Sequence, residues 1–96
     1  MQYIKLGAVR AFQGAVPDKA QALKVLEEAA EVFGAWQVYD SDDMTHVGYN
    51  ASVLLDEIAD TIQACCNLAS ALGVDDLAPY LAACEERNRE RGRYGD

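Results

Sequence analysis

The sequence predicts an all-α protein, an antiparallel four-helix bundle that oligomerises through its helix faces. Apolar residues recur at three- and four-residue spacing along most of the chain, the period of amphipathic helices. Alternation at period two is missing over any useful length, which removes strands. Proline occurs only at positions 17 and 79, and Gly14 and Gly73 fall between apolar runs. That punctuation marks off helices with short connections.

The elements follow in order. A first helix is expected over residues 2–13, with Ile4, Val9 and Phe12 apolar, ended by Gly14. Pro17 and Asp18 open a second, which runs to about Val38. The stretch 39–50, YDSDDMTHVGYN, is polar and rich in Asp, so it reads as a loop. Its DSDD run serves as a lid or as solvated linker. Asn50 can cap a third helix from Ala51 to Leu72, with Gly73 as its stop. Asp75 or Asp76 caps a fourth, with Leu77, Leu81 and Cys84 on its inner face, and EERNRERGRYGD ends the chain.

Composition narrows the function. A chain of 96 residues makes one domain with a core that has little to spare. At 51% apolar it is not disordered, and apolar helices this short bury more by pairing. No apolar run approaches the roughly 18 residues of a membrane span. The stretch MQYIKLGAVRAF lacks a signal peptide's apolar centre, so the expected location is the cytoplasm. A net charge of −8 argues against nucleic-acid polymers, which need Lys and Arg for their phosphates. It leaves room for a small phosphate ligand bridged by a divalent cation. Cys65, Cys66 and Cys84 form no CxxC and are expected as small reduced core residues. With His46 the lone histidine, His-rich metal sites are out.

The carboxylates carry the chemistry. In KVLEEAAEVFGAW, with Glu27 at zero, Glu31 falls at about 40° and Glu28 at about 100° around the helix. Ala20, Gly34 and Ala35 share that face, while Val25, Leu26, Val32, Phe33 and Trp36 lie on the far side. Small residues around acids suit close approach by another helix or a ligand. On the next helix Glu57 and Asp60, in LLDEIADTIQ, are three apart and so neighbours. Leu54, Ile58, Ile62, Cys65 and Leu68 form its apolar face, and Ala64, Asn67 and Ala71 continue the acidic stripe. If the two helices pack antiparallel, Glu28, Glu31, Glu57 and Asp60 converge. Four carboxylates in one partly dry place cannot all ionise without a cation. Mg2+ fits, since it prefers hard oxygen ligands and commonly binds substrate phosphates; Mn2+ can substitute.

An EExxE motif followed on the next helix by ExxD resembles the all-alpha nucleoside triphosphate pyrophosphohydrolases. Here it reads Glu27-Glu28-Ala29-Ala30-Glu31, then Glu57-Ile58-Ala59-Asp60, with 25 residues between. The chain most resembles the small MazG-like members over roughly residues 19–91, including ALGVDDL and the arginine-rich end of the last helix. The resemblance implies a four-helix fold, dimeric or tetrameric, and Mg2+-dependent hydrolysis of a nucleoside triphosphate to the monophosphate and pyrophosphate, as nucleotide-pool housekeeping. It implies that Glu28, Glu31, Glu57 and Asp60 are metal ligands. Glu27 would be a further ligand or would orient or deprotonate the attacking water.

Other residues have two readings each. Lys24 contacts a phosphate or pairs with Glu27, Glu28 or Glu31. Asn67 reads a base or sugar, or is a hydrogen-bonded core residue. Arg87, Arg91 and Arg93 close over phosphates, Arg91 being the substrate-binding candidate, or pair with Glu85, Glu86 and Glu90. Trp36 and Tyr39 stack on a base or pack in a core or interface. Two other functions compete: a phosphoribosyl-ATP pyrophosphohydrolase, and a non-catalytic helical dimerisation adaptor whose acids only keep it in solution.

Overall fold

Asp18 starts the first helix. Its backbone is extended, and its Oδ1 accepts from the Gln21 N–H at 2.9 Å, satisfying a donor the first turn would otherwise orphan. In the computed structural model, which describes residues 2–41 and 51–95, the helices are α1 (Lys19–Tyr39), α2 (Ala51–Ala71) and α3 (Ala78–Glu90). No strand occurs among the described residues. The expected cap Asn50, the lone His46 and most of the 39–50 loop lie outside them.

Helix α2 ends at Gly73. Val74 N–H reaches Ala69 C=O at 3.0 Å and Gly73 N–H reaches Ser70 C=O at 2.9 Å. This paired closure needs a left-handed residue, and Gly73 supplies φ +85°. Helix α3 ends the same way at Gly92, φ +72°. At its start the N-cap position falls on Leu77 rather than on an aspartate. Asp76 still serves, its Oδ1 accepting from the Ala78 N–H at 2.9 Å. Pro79 fits the first turn, where its missing N–H costs nothing.

The all-α class holds, but the described residues contain three helices, not four. Residues 2–13, expected as the first helix, form an irregular strap. Gly7 takes φ +71°, which breaks a helical run. Ile4, Val9 and Phe12 also make no continuous stripe. The strap's backbone bonds instead to α2 side chains: Phe12 N–H donates to Asn67 Oδ1, and Arg10 C=O accepts from Gln63 Nε2, both at 2.9 Å. Tertiary partners have replaced the helical ones.

Helices α1 and α2 form the substantial helix–helix contact among the described residues. They run antiparallel: Gln21 and Lys24 share a cavity with Gln63 and Asn67, while Glu31, later in α1, meets Glu57, earlier in α2. The seam mixes small, polar and β-branched residues, and it takes in Val25 and Val32, which were expected on the side away from the acids. Ala35, Ala64 and Asn67 are the buried side chains of the described set, with Val25, Glu28, Val32, Glu57 and Thr61 half-buried beside them.

The bulky apolar residues face the other way. Leu26 is 65% exposed, Phe33 60%, Trp36 45% and Leu55 60%. Phe33 and Trp36 stack on each other at 6.1 Å. Expected core or inner-face positions are corrected likewise: Cys65, Ile58 and Leu81 are exposed, and Cys66 and Cys84 only half-buried, all three thiols free. Cys66 and Leu81 line an open cavity of about 550 Å³ that α2 and α3 share with Leu6 and Val9 of the strap, and this leaves them only partly covered. The chain exposes 7642 Å², against about 5,400 Å² for a folded monomer of its mass. Its radius of gyration, 16.1 Å, exceeds the roughly 12–13 Å of a closed domain this long.

Candidate metal centre

The acidic site forms where the seam is narrowest in side-chain size. Ala64 on α2 and Ala35 on α1 are small enough to let the helices close, and Glu28, Glu31 and Glu57 fill the space left. One carboxylate oxygen from each lies within 4.8 Å of the others. Glu28 and Glu57 are half-buried, and Glu31 is exposed at the rim. Convergence of acids from α1 and α2 therefore holds for three of the four expected ligands. Asp60 stands beside them, lining with Glu28 a cavity of about 450 Å³.

The electrostatics show what these groups lack. Glu57 Oε2 is buried with no hydrogen-bond partner, although the Glu31 carboxylate lies against Glu57. Two ionised carboxylates are acceptors only, so nothing binds them together until a proton or a cation enters. Burial holds the Glu57 carboxyl above its ordinary value, reinforced by the bond to Glu31 and by the charges of Glu31, Asp60 and Glu28. Glu28 is raised too, first by burial, then by the charge of Glu31 and a bond to it, and by Asp60. A hard divalent cation fits this set: carboxylate oxygens only, from two rigid helices, one of them orphaned. Mg2+ and Mn2+ both meet that description.

The remaining expected residues separate. Glu27, next in sequence to Glu28, is outside the cluster. It pairs with Lys24 at 3.2 Å, with both side chains more than half exposed. That bond, then the charges of Glu27, Glu28 and Glu31, raises the Lys24 pKa. An exposed pair of this kind is held weakly, so Lys24, which also lines the cavity, is free to turn to an anion. Asn67 is 4% exposed and hydrogen-bonded, as its core reading expects, and it lines the same cavity. Arg91 is the exposed C-cap of α3 and lies outside that lining. Nearby it is Arg89 that pairs, with Glu85 at 3.6 Å and Glu86 at 2.6 Å.

The cavity adds three residues the sequence reading missed: Phe12, Gln21 and Gln63. Gln63 was within reach, since it follows Asp60 by three positions on the acidic stripe. Phe12 was not, because it arrives through the strap's fold. No protein-family model, no curated protein and no solved structure matches the chain.

Proposed function

We propose that the chain is a Mg2+-dependent nucleoside triphosphate pyrophosphohydrolase of the MazG-like kind, releasing the monophosphate and pyrophosphate in nucleotide-pool housekeeping in the cytoplasm. The observation that carries this reading is the meeting of Glu28 and Glu31 with Glu57 across two helices, with an orphaned oxygen among them. Two of the three acids, Glu28 and Glu57, are half-buried in the seam, and Glu31 joins them from its rim. Choice of the α,β bond over the β,γ bond comes from the EExxE and ExxD resemblance.

In this mechanism Glu28, Glu31 and Glu57, with Asp60 alongside, would hold the cation. Bound there, Mg2+ would supply positive charge for the phosphate oxygens and lower the pKa of nearby water. The chain's own part is positioning. Two antiparallel helices fix the carboxylates, so little reorganisation accompanies the reaction. Water oxygen joins the α-phosphorus, the bond from that phosphorus to the bridging oxygen breaks, and pyrophosphate leaves with that oxygen. The water's proton passes to a carboxylate of the site or to solvent. Lys24 can leave Glu27 to meet a phosphate oxygen.

The working unit is a homo-oligomer, dimer or tetramer. The surface in excess of a folded monomer, roughly 2,200 Å², is in the range of an obligate interface. The same apolar faces are what favour the adaptor reading, so the test must separate the two. A panel of canonical and modified triphosphates, with phosphoribosyl-ATP included, is incubated with Mg2+ and scored for pyrophosphate against orthophosphate. The expected result is pyrophosphate from at least one substrate, lost by a factor of about 100 or more in Glu31→Gln. The same variant should keep its fold and lose the Mg2+-induced rise in Tm. An adaptor would give no product and no Mg2+ shift.

A further inference from the structure

The cavity beside the acids has two chemically different ends. Antiparallel packing sets Glu28 and Asp60 toward one, and Phe12, Gln21 and Asn67 toward the other, with Lys24 and Gln63 between them. At the second end the polarity is fixed. The Phe12 backbone N–H can only donate, and it donates to Asn67 at 2.9 Å, so the atom facing it is Oδ1 and not the amide nitrogen. Gln63 Nε2 donates to the same oxygen, also at 2.9 Å, and to Arg10 C=O. Both acceptors' demands are thereby met, and two groups are left over: the Asn67 NH2 as donor and the Gln63 Oε1 as acceptor. As a residue Asn67 is 4% exposed, and both of its side-chain hydrogen bonds are made through Oδ1. Above them the Phe12 ring stands 65% exposed on the cavity wall, an apolar face with no protein cover.

We propose that this end is the nucleobase subsite, with the Phe12 ring stacking on the base while Asn67 and Gln63 read its hydrogen-bonding edge. The inference rests on the nucleotide reading above and names which part of the substrate goes where. A phosphate does not suit this end, because neutral amides and a ring offer it no charge. A planar, neutral ligand carrying both donors and acceptors does suit it. The acids at the other end repel phosphates until a divalent cation is present, and then attract them, which orients the substrate along the cavity. The volume, about 450 Å³, falls in the ordinary range for small-molecule sites. The strap is thus part of the binding site, tied down by the Phe12 and Arg10 backbone bonds to α2.

The test uses Phe12→Ala, which keeps the backbone N–H bond to Asn67 and removes only an exposed ring, with Phe12→Tyr as the conservative control. Calorimetry in Mg2+ measures binding of a non-hydrolysable α,β-imido nucleoside triphosphate and of inorganic tripolyphosphate, which has the phosphates and no base. Loss of one stacking contact weakens binding on the order of tenfold, within the range of about 5- to 150-fold. The expected result is that loss for the analogue in Phe12→Ala, recovery in Phe12→Tyr, and unchanged tripolyphosphate binding in all three proteins. Equal analogue binding by wild type and Phe12→Ala overturns the proposal. So does a wild type that binds the analogue no better than tripolyphosphate. A wild type that shows the expected binding pattern but turns over no triphosphate removes the hydrolase reading and leaves the subsite standing.

Discussion

The two sides of α1 are built in opposite senses. Toward α2 it presents Gln21, Val25, Glu28, Val32 and Ala35, two polar groups, two valines and an alanine, and this is the face that is covered. Away from α2 it presents Leu23, Leu26, Phe33 and Trp36, and this is the face left open. An ordinary surface helix does the reverse. The difference teaches that what the helix pair covers among the described residues is its less bulky face, the one that carries the acids. Small residues in the seam let two rods approach and leave a gap that carboxylates fill. Bulk there would close the gap. The bulk lies outward, where no described element covers it.

The largest expected effect comes from breaking the outer side. Leu26→Asp with Phe33→Asp places two charges on the open face of each copy. Full burial of such a side chain is worth about 1.5–3 kcal/mol, so two residues on each of two copies amount to roughly 6–12 kcal/mol per dimer. That weakens association by about four powers of ten or more. Sedimentation should read an oligomer for wild type and a monomer for the double variant, with cooperative unfolding lost in the latter. A wild type that sediments as a monomer and still unfolds cooperatively would break the comparison, because the outer face would then need no partner.

The seam can be tested from within by Ala64→Leu. Ala64 is 6% exposed and lines the cavity beside Glu28 and Asp60. Overpacking of this kind costs about 1–3 kcal/mol. It should also spread the helices, so that the Mg2+-induced rise in Tm shrinks with the stability. The outer-face position Leu26→Met, similar in volume, should change neither by as much. If Ala64→Leu is tolerated with its Mg2+ response intact, the acids do not depend on close helix approach.

Much of the inner side was legible in the sequence. The positions of Glu28, Glu31 and Glu57 follow from helical period alone, and Ala35 and Ala64 marked the face that another helix could approach. Asp18 and Gly73 announced their helix ends through local chemistry. What was not legible is tertiary. Residues 2–13 are apolar enough to suggest a helix but carry no continuous stripe, and Gln63 and Asn67 bond the strap's backbone in place of its own turns. Periodicity also told which residues share a face but not which face is covered. Cys65 was read as a core residue because it is small and apolar, yet it is exposed, on a face of α2 turned away from the seam. Glu27 and Glu28 are adjacent in sequence, and a 100° rotation between them sends one to a surface ion pair and the other into the site.

The finest probe of the same contrast is proton against cation. Glu28 and Glu57 both have carboxyl pKa values raised above the ordinary 4.5, burial being the first cause in each. Between that value and the raised one, the folded protein holds more protons than the unfolded chain. Without metal, these groups' contribution to stability is therefore complete below about pH 4.5 and falls as pH rises through the raised values. A divalent cation competes for the same oxygens, so its stabilisation should grow over the same window. Thermal unfolding from about pH 4.5 to about pH 7, with and without Mg2+, should show the two curves separating as pH rises. Glu57→Gln cannot gain or lose that proton, and its metal-free curve should be flatter than wild type's. Exposed carboxylates elsewhere titrate alike in both proteins, so the difference between the two curves isolates the seam. If that difference is flat, Glu57 is no more perturbed than an acid on the solvent side of α1, and the seam holds no special site.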